Sequence, residues 1–224
     1  MKTFGLGLIL SLASAGLVSA QANPPDAPQP QSASHRTYFS FSPPLSLAKD
    51  TRPMTVGDKF KLFALNTANP FQIFASSAWA GIDQADDRFP SWGQGAEGYG
   101  KRVGANYADT ASAEFFGTFL FPAIMRTDPR YFRKEAGGFG SRLGYAISRI
   151  AITRTDRGGS TPNVALWMGA LAAGGLSNAY YPDDQNTAGQ TLGRAGIAIA
   201  TSAGFNIARE FWPDVSRHLF HHKK

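Results

Sequence analysis

The sequence predicts an all-α fold, a bundle of five or six helices whose faces of small residues pack closely. Across residues 55–224, apolar residues recur at the three- and four-residue spacing of a helix face, and strict alternation fits less well. Pro and Gly interrupt this pattern at intervals that suit helices of ordinary length. Gly and Ala also recur at every fourth position in three of these segments, which places them on one face of each helix.

The residues before the helical domain divide into two segments. Residues 1–20 resemble a signal peptide, because Lys2 supplies a positive charge, an apolar run follows, and small residues ending at Ala20 form a cleavage site. A retained membrane anchor is the alternative, but the apolar run is short and rich in Gly, Ser and Ala. Residues 21–54 are rich in Pro, Gln and Ser, a composition typical of a flexible linker. The sequence thus predicts export, with one helical domain at 55–224.

The first two helices are predicted from the residues that start them. Thr55 followed by Asp58 is a capping-box pattern, and apolar residues then recur at helical spacing. Asn69 followed by Pro70 marks a second start, because Asn caps helices well and proline is favoured at the first helical position. This second helix is predicted to end near Gln84, before a loop rich in Asp, Pro and Gly.

The remaining helices are predicted from their apolar faces and from the turns between them. Pro122 is expected to kink or end one helix and Pro213 to stop the last, because proline lacks an N–H group and clashes with the preceding turn. Residues 156–160 are predicted to form a turn. The predicted helix ranges are about 97–121, 141–153, 161–181 and 187–211.

Small residues at every fourth position form a stripe on each of three predicted helices. Such a stripe lets two helix backbones approach closely. A Gly inside a water-exposed helix costs about 1 kcal/mol relative to Ala, so repeated glycines indicate tight helix contacts. Chance in a Gly-rich chain and a close-packed soluble bundle are the alternatives. The residues predicted to pack are Gly100, Gly104 and Ala108 in the third helix, Gly169 and Ala173 in the fifth, and Gly196, Ala200 and Gly204 in the last.

Two long windows without charged side chains, residues 62–82 and 158–182, favour association with a membrane. Each approaches the roughly 20 residues that cross the hydrocarbon core of a bilayer. Trp167 and the pair Tyr180 and Tyr181 fall near helix ends, where amphipathic rings favour the lipid interface. Because both windows also contain Asn, the number of membrane spans is not predicted.

A few charged residues are predicted to have specific partners. Glu114 precedes a long apolar run, and a carboxylate in such surroundings is expected to form a buried ion pair with an arginine such as Arg142, Arg149 or Arg194; the pair with Arg149 is the one predicted. The segment 126–134 mixes basic and aromatic residues, which suits contact with lipid headgroups as well as a charged surface turn. The predicted headgroup contacts are Arg130, Arg133 and Lys134.

Composition excludes several classes of function. Cys is absent, which excludes a thiol nucleophile, a Cys-ligated metal site and a disulfide scaffold. Three of the four His residues fall near the C-terminus, where a solvated tail is expected rather than a metal site. The formal net charge is +6, but the basic residues are scattered, which does not favour nucleic-acid binding. Neither a metal nor a cofactor is expected.

No catalytic motif stands out, and an enzymatic role is not favoured. The leading hypothesis is an exported, membrane-associated helical protein of the bacterial periplasm or envelope with a structural or interaction role. Its partners would be membrane lipid or another envelope protein, and oligomers are compatible with it. Two alternatives stay open: a soluble periplasmic bundle that holds an apolar ligand, and a hydrolase that uses Glu114 or Asp109.

Overall fold

The computed structural model describes residues 47–220, with the side chains of residues 47–217. This part of the chain is mostly helical, which confirms the predicted class, and it also contains a small sheet that the sequence pattern does not predict. The predicted signal peptide at 1–20 and the linker as far as residue 46 lie outside the described residues.

Seven helices and three strands are found within residues 47–220. The helices are α1 (Val56–Thr67), α2 (Pro70–Ala85), α3 (Ala96–Glu114), α4 (Phe121–Met125), α5 (Phe139–Ser148), α6 (Val164–Ser177) and α7 (Ala188–Phe220). The strands are β1 (Thr127–Asp128), β2 (Ile152–Thr155) and β3 (Ser160–Pro162), which form one antiparallel sheet in the order β1-β2-β3. A π-helical segment, Phe115–Leu120, connects α3 directly to α4.

The predicted starts of α1 and α2 are confirmed by their capping geometry. The hydroxyl of Thr55 accepts a hydrogen bond from the backbone N–H of Asp58 at 3.1 Å, and the Asp58 carboxylate accepts one from the Thr55 N–H at 3.0 Å. The side chain of Asn69 accepts a bond from the N–H of Phe71 at 2.9 Å, with Pro70 at the first helical position. These bonds satisfy N–H groups that a helix start otherwise leaves open.

The sheet replaces the ends of two predicted helices. The helix predicted at 141–153 ends at Ser148, and the one predicted at 161–181 begins at Val164, because the residues between them form a hairpin. β2 contains three β-branched residues, which favour extended backbone. The predicted turn is confirmed, and Gly158 adopts a φ of 90°, a conformation that side chains rarely allow.

The last helix continues through Pro213, so the predicted stop at this residue is wrong. Proline removes one helical hydrogen bond and disturbs the preceding turn. In α7, two arginines from other segments donate to the turn before Pro213. The carbonyl oxygen of Glu210 accepts hydrogen bonds from Arg133 at 3.1 Å and from Arg142 at 2.7 Å. The Asp214 carboxylate, directly after the proline, accepts a bond from Arg142 at 2.7 Å. The two arginines therefore bridge the interrupted part of α7.

Glu210 is the centre of this cluster, and its side chain is fully buried. Its carboxylate accepts bonds from Arg142 Nε at 2.7 Å, from the Tyr131 hydroxyl at 3.0 Å and from the Lys134 N–H at 3.0 Å. Burial acts to raise the pKa of this carboxyl, but the hydrogen bonds outweigh burial and lower the pKa below its ordinary value. Glu210 thus stays charged while it joins α5 and the segment after β1 to α7.

Asp214 makes the fold sensitive to acid. Its hydrogen bonds from Arg142, which outweigh burial, lower its pKa from the ordinary 3.8 to about 2. The ionised group therefore stabilises the fold above about pH 4, and this contribution is lost as the pH falls from 4 towards 2. We expect the free energy of unfolding of Asp214→Asn to depend less steeply on pH in this window than that of the wild type. Denaturant unfolding at several pH values measures this slope, and equal slopes would contradict the assignment.

The stripe of small residues in α6 faces inward. Gly169 and Ala173 are buried, and a Cβ atom added at Gly169 would lie 2.9 Å from the Cα of Gly117 in the π-helical segment. The next close contact of α6 is at Gly174, where an added Cβ would lie 2.9 Å from the carbonyl oxygen of Thr191 in α7. Direct backbone contact therefore joins α6 to both neighbours.

The stripes in α3 and α7 do not pack, which corrects the prediction for these two helices. Among the described residues, no atom lies within 4 Å of the position of an added Cβ at Gly100, Gly104, Gly196 or Gly204. Ala200 is exposed as well, and Ala108 is only partly covered. The buried small residues of these helices include Ala105 in α3 and Ala195 in α7, which lie outside the predicted stripes.

Arg102 fixes the loop between α2 and α3. Its side chain is 1% exposed and donates to the carbonyl oxygens of Arg88, Phe89 and Gly93 and to the side chain of Gln84, at 2.6–3.2 Å. Five donor contacts of this kind use the whole guanidinium group. The loop is thereby held beside α3, where the ring of Phe89 packs against Trp92 and Tyr181.

Candidate functional site

Polar and apolar side chains are distributed opposite to the usual arrangement of a water-soluble protein. The buried apolar residues of the described part are seven alanines and two tyrosines, and no Leu, Ile, Val or Phe is among them. Twelve polar or charged residues are buried, including Lys59, which donates to Asp156 at 2.7 Å and to the carbonyl of Pro122 at 3.0 Å. The fully buried positions are therefore mainly polar or small, and many large apolar side chains are exposed.

Helix α2 illustrates this inversion. Its buried positions are Gln72, Ser76, Ala80 and Asp83, which lie on one face. Its exposed positions include Ile73, Phe74, Trp79 and Ile82, each about half exposed or more. Helix α6 exposes Trp167, Met168 and Leu171 and carries no charged residue. No helix of residues 47–220 combines the length and the apolar composition needed to cross a bilayer.

The polar interior contains a cavity of about 900 Å³. Its walls come from α2, α3, the π-helical segment, the hairpin, α6 and α7. Six arginines and four carboxylates line it, together with amides, hydroxyls and a smaller number of aromatic rings. The charged residues in the wall are Arg88, Arg130, Arg149, Arg154, Arg194, Arg209, Asp83, Asp109, Glu114 and Asp128. Small-molecule sites have volumes of about 300–1,000 Å³, so the cavity has room for a ligand of that size.

Asp109 lies in one wall, between two tyrosines that follow α6. The hydroxyls of Tyr180 and Tyr181 donate to its two carboxylate oxygens at 2.6 and 2.8 Å. Burial raises the pKa of the Asp109 carboxyl, although the two hydrogen bonds and the charge of Arg194 act in the opposite direction. Burial, together with the Asp109 charge, also raises the pKa of both phenols above the ordinary value of 10. Burial therefore raises the pKa of all three groups of this hydrogen-bonded trio.

Glu114 lies at the end of α3, where the helix changes to the π form. Its carboxylate accepts bonds from the Thr118 hydroxyl at 2.8 Å and from the Asn66 amide at 3.0 Å. The predicted ion pair of Glu114 with Arg149 is not formed among the described residues. Arg149 instead lies over the ring of Tyr145, with its charge 4.5 Å from the ring centre. Both hydrogen-bond donors to Glu114 are neutral: Thr118 lies in the π-helical segment that continues α3, and Asn66 lies in α1.

The residues predicted to contact lipid headgroups are mostly engaged inside the protein. Arg130 donates to Asp128 at 2.7 Å, and its side chain is 14% exposed. Arg133 is equally covered and donates to Asp214 at 3.1 Å. Only Lys134 is exposed, and its ammonium group donates to Ser141 at 2.6 Å. Both guanidinium groups are already paired with carboxylates of the protein and are largely covered, so the structure does not support headgroup contact by Arg130 or Arg133.

Sequence analysis missed Arg154, the Tyr180–Tyr181 pair as ligands of a carboxylate, and Glu210. The position of the two tyrosines just after α6 is visible in the sequence. Their partner Asp109 is not, because it lies about 70 residues away in α3. The residues that the structure describes contain no group of three His, Asp or Glu side chains arranged to hold a metal ion.

Comparison of the chain with known protein families, with curated proteins and with solved structures finds no match.

Proposed function

We propose that the chain is an exported helical protein of the cell envelope that associates with membrane lipid through apolar helix faces and encloses a polar cavity. The observation that carries this proposal is the inverted distribution of polarity. Apolar surface in water costs about 25 cal/mol per Å², so a surface this rich in large apolar side chains favours an apolar environment. Buried charges such as Lys59 and Glu210, each with close partners, give the interior a polar character that hydrocarbon outside would not disturb.

Lipid is a better occupant of this surface than one protein partner. The exposed large apolar residues occur on α1, α2, α5, α6 and α7 and are not confined to one helix. A protein partner of ordinary size covers about 800 Å² on one patch of its target. A fluid hydrocarbon phase can contact several helix faces at once. Export itself is supported by residues 1–20 of the sequence.

The chain's four tryptophans allow a direct test of lipid contact. Trp79 and Trp167 are 61% and 39% exposed on α2 and α6. Trp92 packs against Phe89 and Tyr181, with ring centres 4.9 and 5.6 Å apart. Full-length variants that keep one tryptophan, with Phe at the others, would be mixed with vesicles of neutral phosphatidylcholine brominated on the acyl chains. We expect bromine to quench the fluorescence of the Trp79-only and Trp167-only proteins strongly and that of the Trp92-only protein weakly.

Charged substitutions supply the matched control. Phe74→Asp with Leu171→Asp places charges on two exposed apolar faces, whereas Ser91→Asp places one on an exposed polar position. We expect the double variant to lose flotation with vesicles and the single variant to keep it. Absence of quenching in all single-tryptophan proteins would overturn the proposal. A wild type that stays in solution as a defined oligomer would instead favour a protein partner on these faces.

The cavity bears on the two alternative functions. A wholly apolar ligand is not favoured, because ten charged residues line the walls beside apolar side chains such as Leu166, Ile197 and Phe205. A hydrolase that uses Asp109 or Glu114 lacks support too, since each carboxylate already accepts bonds from side chains of the protein. No histidine is among the described residues of the cavity wall.

A further inference from the structure

Two arginines in the cavity wall, Arg149 and Arg154, form no ion pair with any carboxylate of residues 47–217. Two other arginines of the wall, Arg88 and Arg130, differ in this respect. Arg88 pairs with Asp83 at 3.1 Å and Arg130 with Asp128 at 2.7 Å. Arg149 reaches only the hydroxyl of its neighbour Ser148, at 3.2 Å. A partly buried cation without a counter-charge is unfavourable, and such a group is a candidate for binding an anion.

The two guanidinium groups are held by one connected unit. Arg149 lies over the ring of Tyr145 and Arg154 over the ring of Phe132, each with its charge 4.5 Å from the ring centre. The Tyr145 hydroxyl donates to the carbonyl oxygen of Phe132 at 2.8 Å, so the supports of both arginines are fixed to each other. Contact with a ring face leaves the N–H edges of an arginine free to donate. Gly158 in the hairpin turn leaves room for the Arg154 side chain, because an added Cβ there would lie 3.1 Å from the guanidinium group.

We infer that the cavity binds a phosphate ester, with the phosphate group at Arg149 and Arg154. Phosphate offers several oxygens to two guanidinium forks, which is the strongest kind of hydrogen bond available to arginine. The cavity of about 900 Å³ is much larger than inorganic phosphate requires. Leu166, Ile197 and Phe205 also lie in its wall, which suits an ester with an apolar portion. A lipid headgroup and a water-soluble phosphate ester share this chemistry.

The inference does not depend on membrane association, and its test is separate from the vesicle experiments with neutral lipid. Full-length protein in neutral detergent would be titrated by calorimetry with glycerol 3-phosphate in one arm and with phosphatidic acid in mixed micelles in the other. We expect binding in at least one arm, weakening as NaCl is raised. Binding of glycerol 3-phosphate assigns a soluble ester, and binding of phosphatidic acid alone assigns a lipid.

Variants of the hairpin decide whether the binding is at the proposed place. We expect Arg154→Gln to weaken binding at least tenfold, Arg154→Lys to weaken it less, and Arg157→Gln to leave it unchanged. Arg157 is a suitable control because it is exposed on the same hairpin turn. Arg154 donates no side-chain hydrogen bond to a described residue, so Arg154→Gln is expected to fold, as circular dichroism would verify. No binding in either arm, or an equal loss in Arg157→Gln, would overturn the inference.

Discussion

Replacing Glu210 with alanine is expected to reduce the free energy of unfolding by about 3–5 kcal/mol, because it breaks a buried ion pair and leaves its partners uncompensated. The change removes the acceptor of Arg142 Nε, of the Tyr131 hydroxyl and of the Lys134 N–H. The Tyr131 side chain is buried, so its hydroxyl has little access to water as a substitute. The loss also affects the turn of α7 before Pro213, which the same arginine supports.

Denaturant unfolding followed by circular dichroism in neutral detergent measures this effect. The matched control is Glu97→Ala, since Glu97 accepts from Lys101 at 2.7 Å but has a side chain that is 81% exposed. Exposed helix pairs contribute little, so this variant should unfold like the wild type. Similar stabilities for Glu210→Ala and Glu97→Ala would show that the cluster is not a centre of the fold.

Replacing Gly169 with leucine is expected to destabilise the protein by at least about 3 kcal/mol, the upper end of the usual range for overpacking. The first atom of any side chain here would already lie 2.9 Å from the Cα of Gly117. The obstacle is backbone inside a helix, which cannot move aside as a flexible side chain can. Either α6 separates from the π-helical segment or the segment itself changes its winding.

Gly204→Leu is the control for this substitution, because no atom of residues 47–217 lies within 4 Å of the corresponding position in α7. It should change stability by about 0.5 kcal/mol or less, as surface substitutions usually do. Urea unfolding of both variants under the same conditions provides the comparison. Equal losses at both sites would mean that the space around these glycines does not control stability.

Local chemistry explains which parts of the fold are predictable. The starts of α1 and α2 follow from Thr55 and Asn69, whose side chains bond to N–H groups only two or three residues away. The hairpin at Gly158 is harder to predict, because Arg149 to Thr155 suits a helical face as well as a strand until the pairing with β1 and β3 is known. The winding of the π-helical segment next to Gly169 also depends on a distant part of the chain.

The candidate site was less predictable than the fold. Four-residue spacing finds the face of a helix that small residues share, but it does not tell whether that face points inward, as at Gly169, or outward, as at Gly204. The sequence likewise does not tell which partner a charged side chain will have. Arg133 and Arg154 look alike in sequence, yet Arg133 bonds to a carboxylate 81 residues away whereas Arg154 lies over a ring. Such partners are set by tertiary packing.

The buried ammonium group of Lys59 has a consequence for the order in which the chain folds. Its two acceptors come from Pro122, 63 residues later, and from Asp156 in the hairpin turn, 97 residues later. Until both have been synthesised and brought together, burying this charge is unfavourable, and closing loops of that length is slow. Helix α1 leaves the ribosome before the other helices described here, and yet it is expected to dock among the last.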